Sequence, residues 1–235
     1  MKASPMRRVV AEFVGTLLLL AAVVGSGIMA ERLAQGKMAI ALLANTVATG
    51  AALIALILAF GQISGAHFNP AVTLAEAWNH GIGGSAWREA PGYILAQLAG
   101  AFAGVAVAHG MFGVAVYSVS AHARSGPAQI FSEFVATFGL MVVIFGTARS
   151  RPAAVPFAVG AYITAAYWFT ASTSFANPAV TLARCFTDTF AGIRPRDAAP
   201  FVAAQLAGAF AATLLFQWLV PSIASKSSKS LLKRD

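Results

Sequence analysis

Long apolar runs alternate with short polar breaks along this chain. Crossing a bilayer as a helix takes about 20 mostly apolar residues, and six stretches qualify: about 9–30, 38–60, 87–112, 128–148, 153–170 and 200–220. Two breaks differ from ordinary connectors. Gln62-Ile63-Ser64-Gly65-Ala66-His67-Phe68 is too polar and glycine-rich for lipid, and the apolar, helix-prone run Asn69 to Trp78 after it is too short to cross. Ala171-Ser172-Thr173-Ser174-Phe175-Ala176 likewise leads into a short run, Asn177 to about Phe186. The predicted order is therefore two spans, a half-length helix and a third span, given twice.

The chain also repeats itself in letters. Asn69-Pro70-Ala71-Val72-Thr73-Leu74-Ala75 returns as Asn177-Pro178-Ala179-Val180-Thr181-Leu182-Ala183, 108 positions later, and the match breaks where Glu76 faces Arg184. The same offset relates the segments beginning at Gln97 and Gln205, and Glu12-Phe13-Val14 returns as Glu133-Phe134-Val135 at a different offset. Such self-similarity marks a duplication. An odd number of spans per half makes the second copy enter the membrane from the opposite side, so the repeat is inverted. We read one domain over 1–235, with repeats over about 6–113 and 127–221 and a basic tail, 222–235, expected to be disordered.

Irregular backbone at membrane depth is tolerated only in a protein interior or along a wet cavity, which places the two polar breaks beside a pore. Asn-Pro starts a helix: Asn caps it, and Pro at the first helical position gives up an N–H that would have no partner. Two inverted half-helices then meet at the midplane with their positive ends together. Asn69 and Asn177 would offer amide donors to a passing solute, while a cation meets two unfavourable dipoles. These features predict a path for small neutral polar molecules.

Paired NPA boxes within an inverted six-span repeat resemble the aquaporin (major intrinsic protein) family over essentially the whole chain. The resemblance implies an all-α right-handed bundle of six transmembrane helices with two re-entrant half-helices. It also implies a homotetramer with one pore per subunit, and no cofactor or metal. By the same resemblance, Glu12 and Glu133 brace the re-entrant loops. Ala66, His67 and Phe68, then Thr173, Ser174, Phe175 and Ala176, supply carbonyls to the pore. The family's four-residue selectivity filter falls, counted from the NPA boxes, on Thr49, Ala165, Ser174 and Val180. Water-selective members carry an aromatic, a His and an Arg there, and glycerol facilitators keep the Arg and follow it with Asp. This chain has Val180-Thr181 instead. The expected constriction is wide, uncharged and modestly polar, and suits water and larger solutes such as glycerol, urea or undissociated arsenicals. A bacterial subgroup linked to arsenic resistance is similar in lacking that Arg. A conventional water-selective aquaporin is the alternative. Arg184, one helical turn beyond Val180, either holds a charge in the vestibule or braces a loop.

Composition narrows the classes further. With 58% apolar and 10% charged residues, the chain has too little charge for a soluble surface, where about a quarter is usual. The net charge of +8 sits at span ends, so it reports topology and not nucleic-acid binding. Ten basic residues fall on the side of the termini and six on the other, which predicts a multi-pass protein of the inner (plasma) membrane with both termini cytoplasmic. The one cysteine, Cys185, is read as a packing residue, and no metal-ligand spacing is present. His67 is read as pore-lining; His80, His109 and His122 are placed at surfaces or interfaces. An intramembrane enzyme would need a nucleophile with a base inside the spans, and Glu12 and Glu133 look structural. A coupled transporter would want charged coupling residues at the midplane, where this chain has Asn.

Overall fold

A computed structural model describes residues 3–81 and 84–220; the tail expected over 222–235 lies outside the described residues. Eight α-helices follow one another: α1 (Pro5–Leu33), α2 (Met38–Ser64), α3 (Pro70–Asn79), α4 (Ser85–Phe112), α5 (Pro127–Ser150), α6 (Val155–Phe169), α7 (Pro178–Ala183) and α8 (Pro195–Leu219). Helices α1, α2, α4, α5 and α8 are each long and apolar enough to cross a membrane. The remaining span, α6, has 15 residues and is extended at its start by a 3-10 turn, Pro152–Ala154.

Helix starts follow local chemistry. Ser4 caps α1 by accepting from the Arg7 amide, and proline stands in the first turn of α1, α3, α5, α6, α7 and α8. Two boundaries differ from the sequence expectation. Gln62-Ile63-Ser64 continues α2, because the stop is Gly65 at φ 93°, a left-handed residue that glycine adopts without strain. The second short helix gives way after Ala183 to a 3-10 turn, Arg184–Phe186. There the Arg184 carbonyl accepts from the Ile193 amide and draws the chain into the next loop.

Helix α1 packs on α4 and α2, α5 packs on α8 and α6, and α2 meets α6 between the halves. Two glycines let backbones touch. A Cβ on Gly100 would collide with the Phe13 carbonyl, and one on Gly208 with the Phe134 carbonyl. These positions correspond in the repeat, so the same close approach joins α1 to α4 and α5 to α8. Half-helices α3 and α7 fill the space that the long helices leave, each packing against both α4 and α8.

Candidate functional site

The loops before α3 and α7 hold an unusual backbone. Gly65, Ala66 and Phe68 in one, and Thr173, Ser174 and Ala176 in the other, all have positive φ, between 49° and 93°. The positions match pairwise across the 108-residue offset. Left-handed backbone costs a non-glycine residue roughly 1–2 kcal/mol, and a buried carboxylate offsets this cost in each half. Glu12 accepts from the His67 amide (3.0 Å), the Phe68 amide (2.7 Å), Ser64 Oγ (2.6 Å) and Gln97 Nε2 (2.8 Å). Glu133 accepts from the Phe175 and Ala176 amides (both 2.9 Å) and Gln205 Nε2 (2.6 Å). Gln97 and Gln205 each donate onward to a threonine of the adjacent half-helix, Thr73 (2.9 Å) and Thr181 (2.8 Å). Each carboxylate is fully buried, and it accepts from two loop amides and from side chains of neighbouring helices.

The two asparagines tie the loops together. Asn69 Oδ1 accepts from the Ala71 amide (2.9 Å), while Asn177 Oδ1 accepts from the Ala179 (3.0 Å) and Val180 (3.3 Å) amides, so both cap their helices. Each Nδ2 then crosses to the other loop: Asn69 donates to the Ala176 carbonyl (2.7 Å) and Asn177 to the Phe68 carbonyl (2.8 Å). One N–H of each amide and one lone pair of each carbonyl remain for a solute. Pro70, Ala71, Pro178 and Ala179 are buried in packing behind the asparagines.

A cavity of about 290 Å³ runs past both asparagines, enough for several waters. Its walls repeat the duplication. Leu19 and Val23 of α1 correspond to Leu140 and Ile144 of α5, and Thr49, Leu53 and Ile57 of α2 to Val159, Ile163 and Tyr167 of α6. Ala66, His67, Phe68, Ser174, Phe175, Ala176, Val72 and Val180 also border it.

The model of the family described as "Major intrinsic protein" matches residues 1–174 and 149–234. The chain belongs to the major intrinsic protein family. This major intrinsic protein is 56% identical to "Aquaglyceroporin AqpS" of Rhizobium meliloti (strain 1021) over 214 residues, covering 91% of this chain and 90% of that one. "Probable aquaporin AqpM" of Archaeoglobus fulgidus is 32% identical, with 91% and 96% covered. Among solved structures, the aquaglyceroporin from Plasmodium falciparum superposes with a TM-score of 0.73 over 94% of this chain and 99% of that one. At 20% identity that likeness speaks for the fold. Membership of a channel family makes the protein a passive membrane channel and not an enzyme.

Near Thr49 two residues depart from the sequence expectation, Ala165 and Thr173. Ala165 is exposed on the far side of α6; residues 159, 163 and 167 share the inward face at helical spacing, and Tyr167 takes the place, donating to Thr49 Oγ1 at 3.3 Å. The irregular segment between Phe169 and Asn177 breaks the helical phase that links α6 to the second asparagine. Thr173 does not border the cavity; its hydroxyl accepts from Arg124 Nη1 (3.3 Å). Arg184, expected either in the vestibule or against a loop, borders the cavity and also contacts a loop carbonyl. It is 2% exposed, its Nε donates to the Ala191 carbonyl, and its guanidinium lies 3.4 Å from the centre of the Phe175 ring.

Arg124 carried no sequence signal beyond its charge. It lies in the loop between α4 and α5 and donates to the carbonyls of Gly192 (2.8 Å), Ser172 (3.3 Å) and Phe190 (3.3 Å), while sitting 5.0 Å from the same Phe175 ring. Burial pulls its guanidinium down to about 10, which leaves it charged at neutral pH. His109, expected near a surface, is fully buried. Its Nδ1 meets the Ala115 and Val116 carbonyls (2.6 and 2.8 Å), and its Nε2 meets Thr187 Oγ1 (2.7 Å). Trp168 is exposed and away from the pore, and Cys185 is buried with Sγ 3.5 Å from the Thr181 carbonyl.

Proposed function

We propose that the protein is a broad-selectivity channel for small neutral solutes, passing water together with larger molecules such as glycerol, urea or undissociated arsenicals. The observation that carries this reading is Val180 at the wall of the cavity near Thr49 and Ser174. A valine there removes the fork of donors that an arginine would hold across the path. The 56% identity to a protein named an aquaglyceroporin supports the same solute class. Glu12 and Glu133 hold the loops, Asn69 and Asn177 present donors at the midplane, and carbonyls of the 66–68 and 174–176 segments accept from the solute. We assign the working form as a homotetramer in the inner membrane, with both termini cytoplasmic. One domain of inverted repeats, about 6–113 and 127–221, does this work.

Purified protein in proteoliposomes tests the proposal. Glycerol and urea flux should rise linearly with concentration, without saturation, and stay unchanged by voltage or a proton gradient. Free passage of water with glycerol, urea and arsenite all excluded would return the protein to the water-selective class. Saturating flux that follows a proton gradient would mark a coupled transporter.

A further inference from the structure

Glu76 and Arg184 occupy equivalent positions of the duplication, each seven residues beyond its asparagine, and carry opposite charges. At 1.5 Å per helical residue that is about 10 Å from the junction of the half-helices. Both side chains border the cavity that passes Asn69 and Asn177. They stand at opposite ends of it. Glu76 shares a second cavity with Ser64, at the C-terminal end of α2, whereas Arg184 donates to the carbonyl of Ala191, and a Cβ on Gly27 would meet both Ala191 and Asn45, in the N-terminal half of that helix.

Among the described residues, Arg184 has no carboxylate partner and Glu76 no lysine or arginine partner. Arg184 spends Nε on a carbonyl and its flat face on Phe175, and among the described residues its two Nη groups bond to nothing. Nearby carboxylates are committed elsewhere, Asp197 to Arg194 and Glu133 to the loop before α7. Arg124, on the same phenyl ring, adds a second cation. Half-buried Glu76 has, among the described residues, only the exposed His80 as a close ionisable partner, 3.6 Å away.

We propose that Arg184 and Glu76 form an ion filter divided between the two mouths of the pore. Arg184, backed by Arg124, repels cations and receives anionic or lone-pair oxygens; Glu76 repels the anions that Arg184 would admit. A neutral solute meets donors at one mouth and an acceptor at the other, and passes both. This rests on the channel reading above, which water and glycerol flux test separately.

The test is ion leak through the full chain in proteoliposomes, with potassium and chloride measured apart and osmotic water flux recorded on the same vesicles. Wild type should be tight to both ions. Glu76→Gln should raise chloride leak by about tenfold or more and leave potassium unchanged. Arg184→Gln should do the reverse, and Arg184→Lys, which keeps the charge, should stay tight to potassium. Variants that conduct water yet remain as ion-tight as wild type would overturn the proposal, as would a potassium leak in Glu76→Gln. Should Arg184→Gln not fold, wild type in vesicles of one orientation gives the answer. Methanesulfonate, ionised throughout, should slow glycerol flux when added at the Arg184 mouth and not at the Glu76 mouth. Equal slowing from both sides, or none, would refute the filter.

Discussion

At the scale of single residues, the buried carboxylates answer for the loops. Removing Glu133 would strip acceptors from two buried backbone N–H groups and from Gln205. Each orphaned donor costs about 1–3 kcal/mol, so Glu133→Ala should lose on the order of 3 kcal/mol or more, read as a lowered unfolding temperature in detergent. Glu133→Gln keeps one acceptor oxygen and should lose less. An unchanged midpoint in the alanine variant would dismiss the bracing role. The glutamates stood out in the sequence as lone acids in apolar spans. Gln97 and Gln205 stood out less, although both lie in repeated segments as polar residues within spans. Tyr167 and Arg124 were hidden for another reason: what they do depends on helical phase and loop path, which motif counting cannot follow.

At the scale of elements, spans and half-helices were legible because lipid demands long apolar runs and Asn-Pro marks a start. Their ends were less so. The polar letters Gln62 and Ser64 looked like loop but continue α2 to a left-handed glycine. The repeated segments of α4 and α8 were also legible, and the structure adds what their glycines touch. Gly100→Val and Gly208→Val place a side chain against a neighbouring backbone carbonyl that cannot step aside. Both should reduce folded yield and lower the unfolding temperature sharply. Gly110→Ala, where a Cβ meets nothing within 4 Å, should instead be neutral or gain roughly 0.5–1 kcal/mol from helix propensity. Similar losses at all three glycines would contradict the contact argument.

For the whole molecule, the duplication reaches down to atoms. The same carboxylate, glutamine, threonine and asparagine contacts occur in each half, and the pore walls pair residue with residue. Its chief exceptions sit where the two mouths must differ, Thr49 against Val159, Ile57 against Tyr167 and Glu76 against Arg184. Large apolar side chains such as Leu43, Val47, Leu95 and Leu214 face outward, towards lipid or a neighbouring subunit. A homotetramer predicts that light scattering in mild detergent will report the mass of four chains after the bound detergent is subtracted. A single-chain mass would refute it.

The reciprocal bonds between Asn69 and Ala176 and between Asn177 and Phe68 also set a timetable for synthesis. The first half of the chain, once made, holds an asparagine amide and a strained loop carbonyl whose partners do not yet exist. At roughly 5–20 residues per second, the ribosome needs several seconds to supply them. Through that interval the first re-entrant segment cannot rest at its final depth in dry lipid. It must wait in water or in the insertion machinery until the second arrives, and the two then enter as a pair.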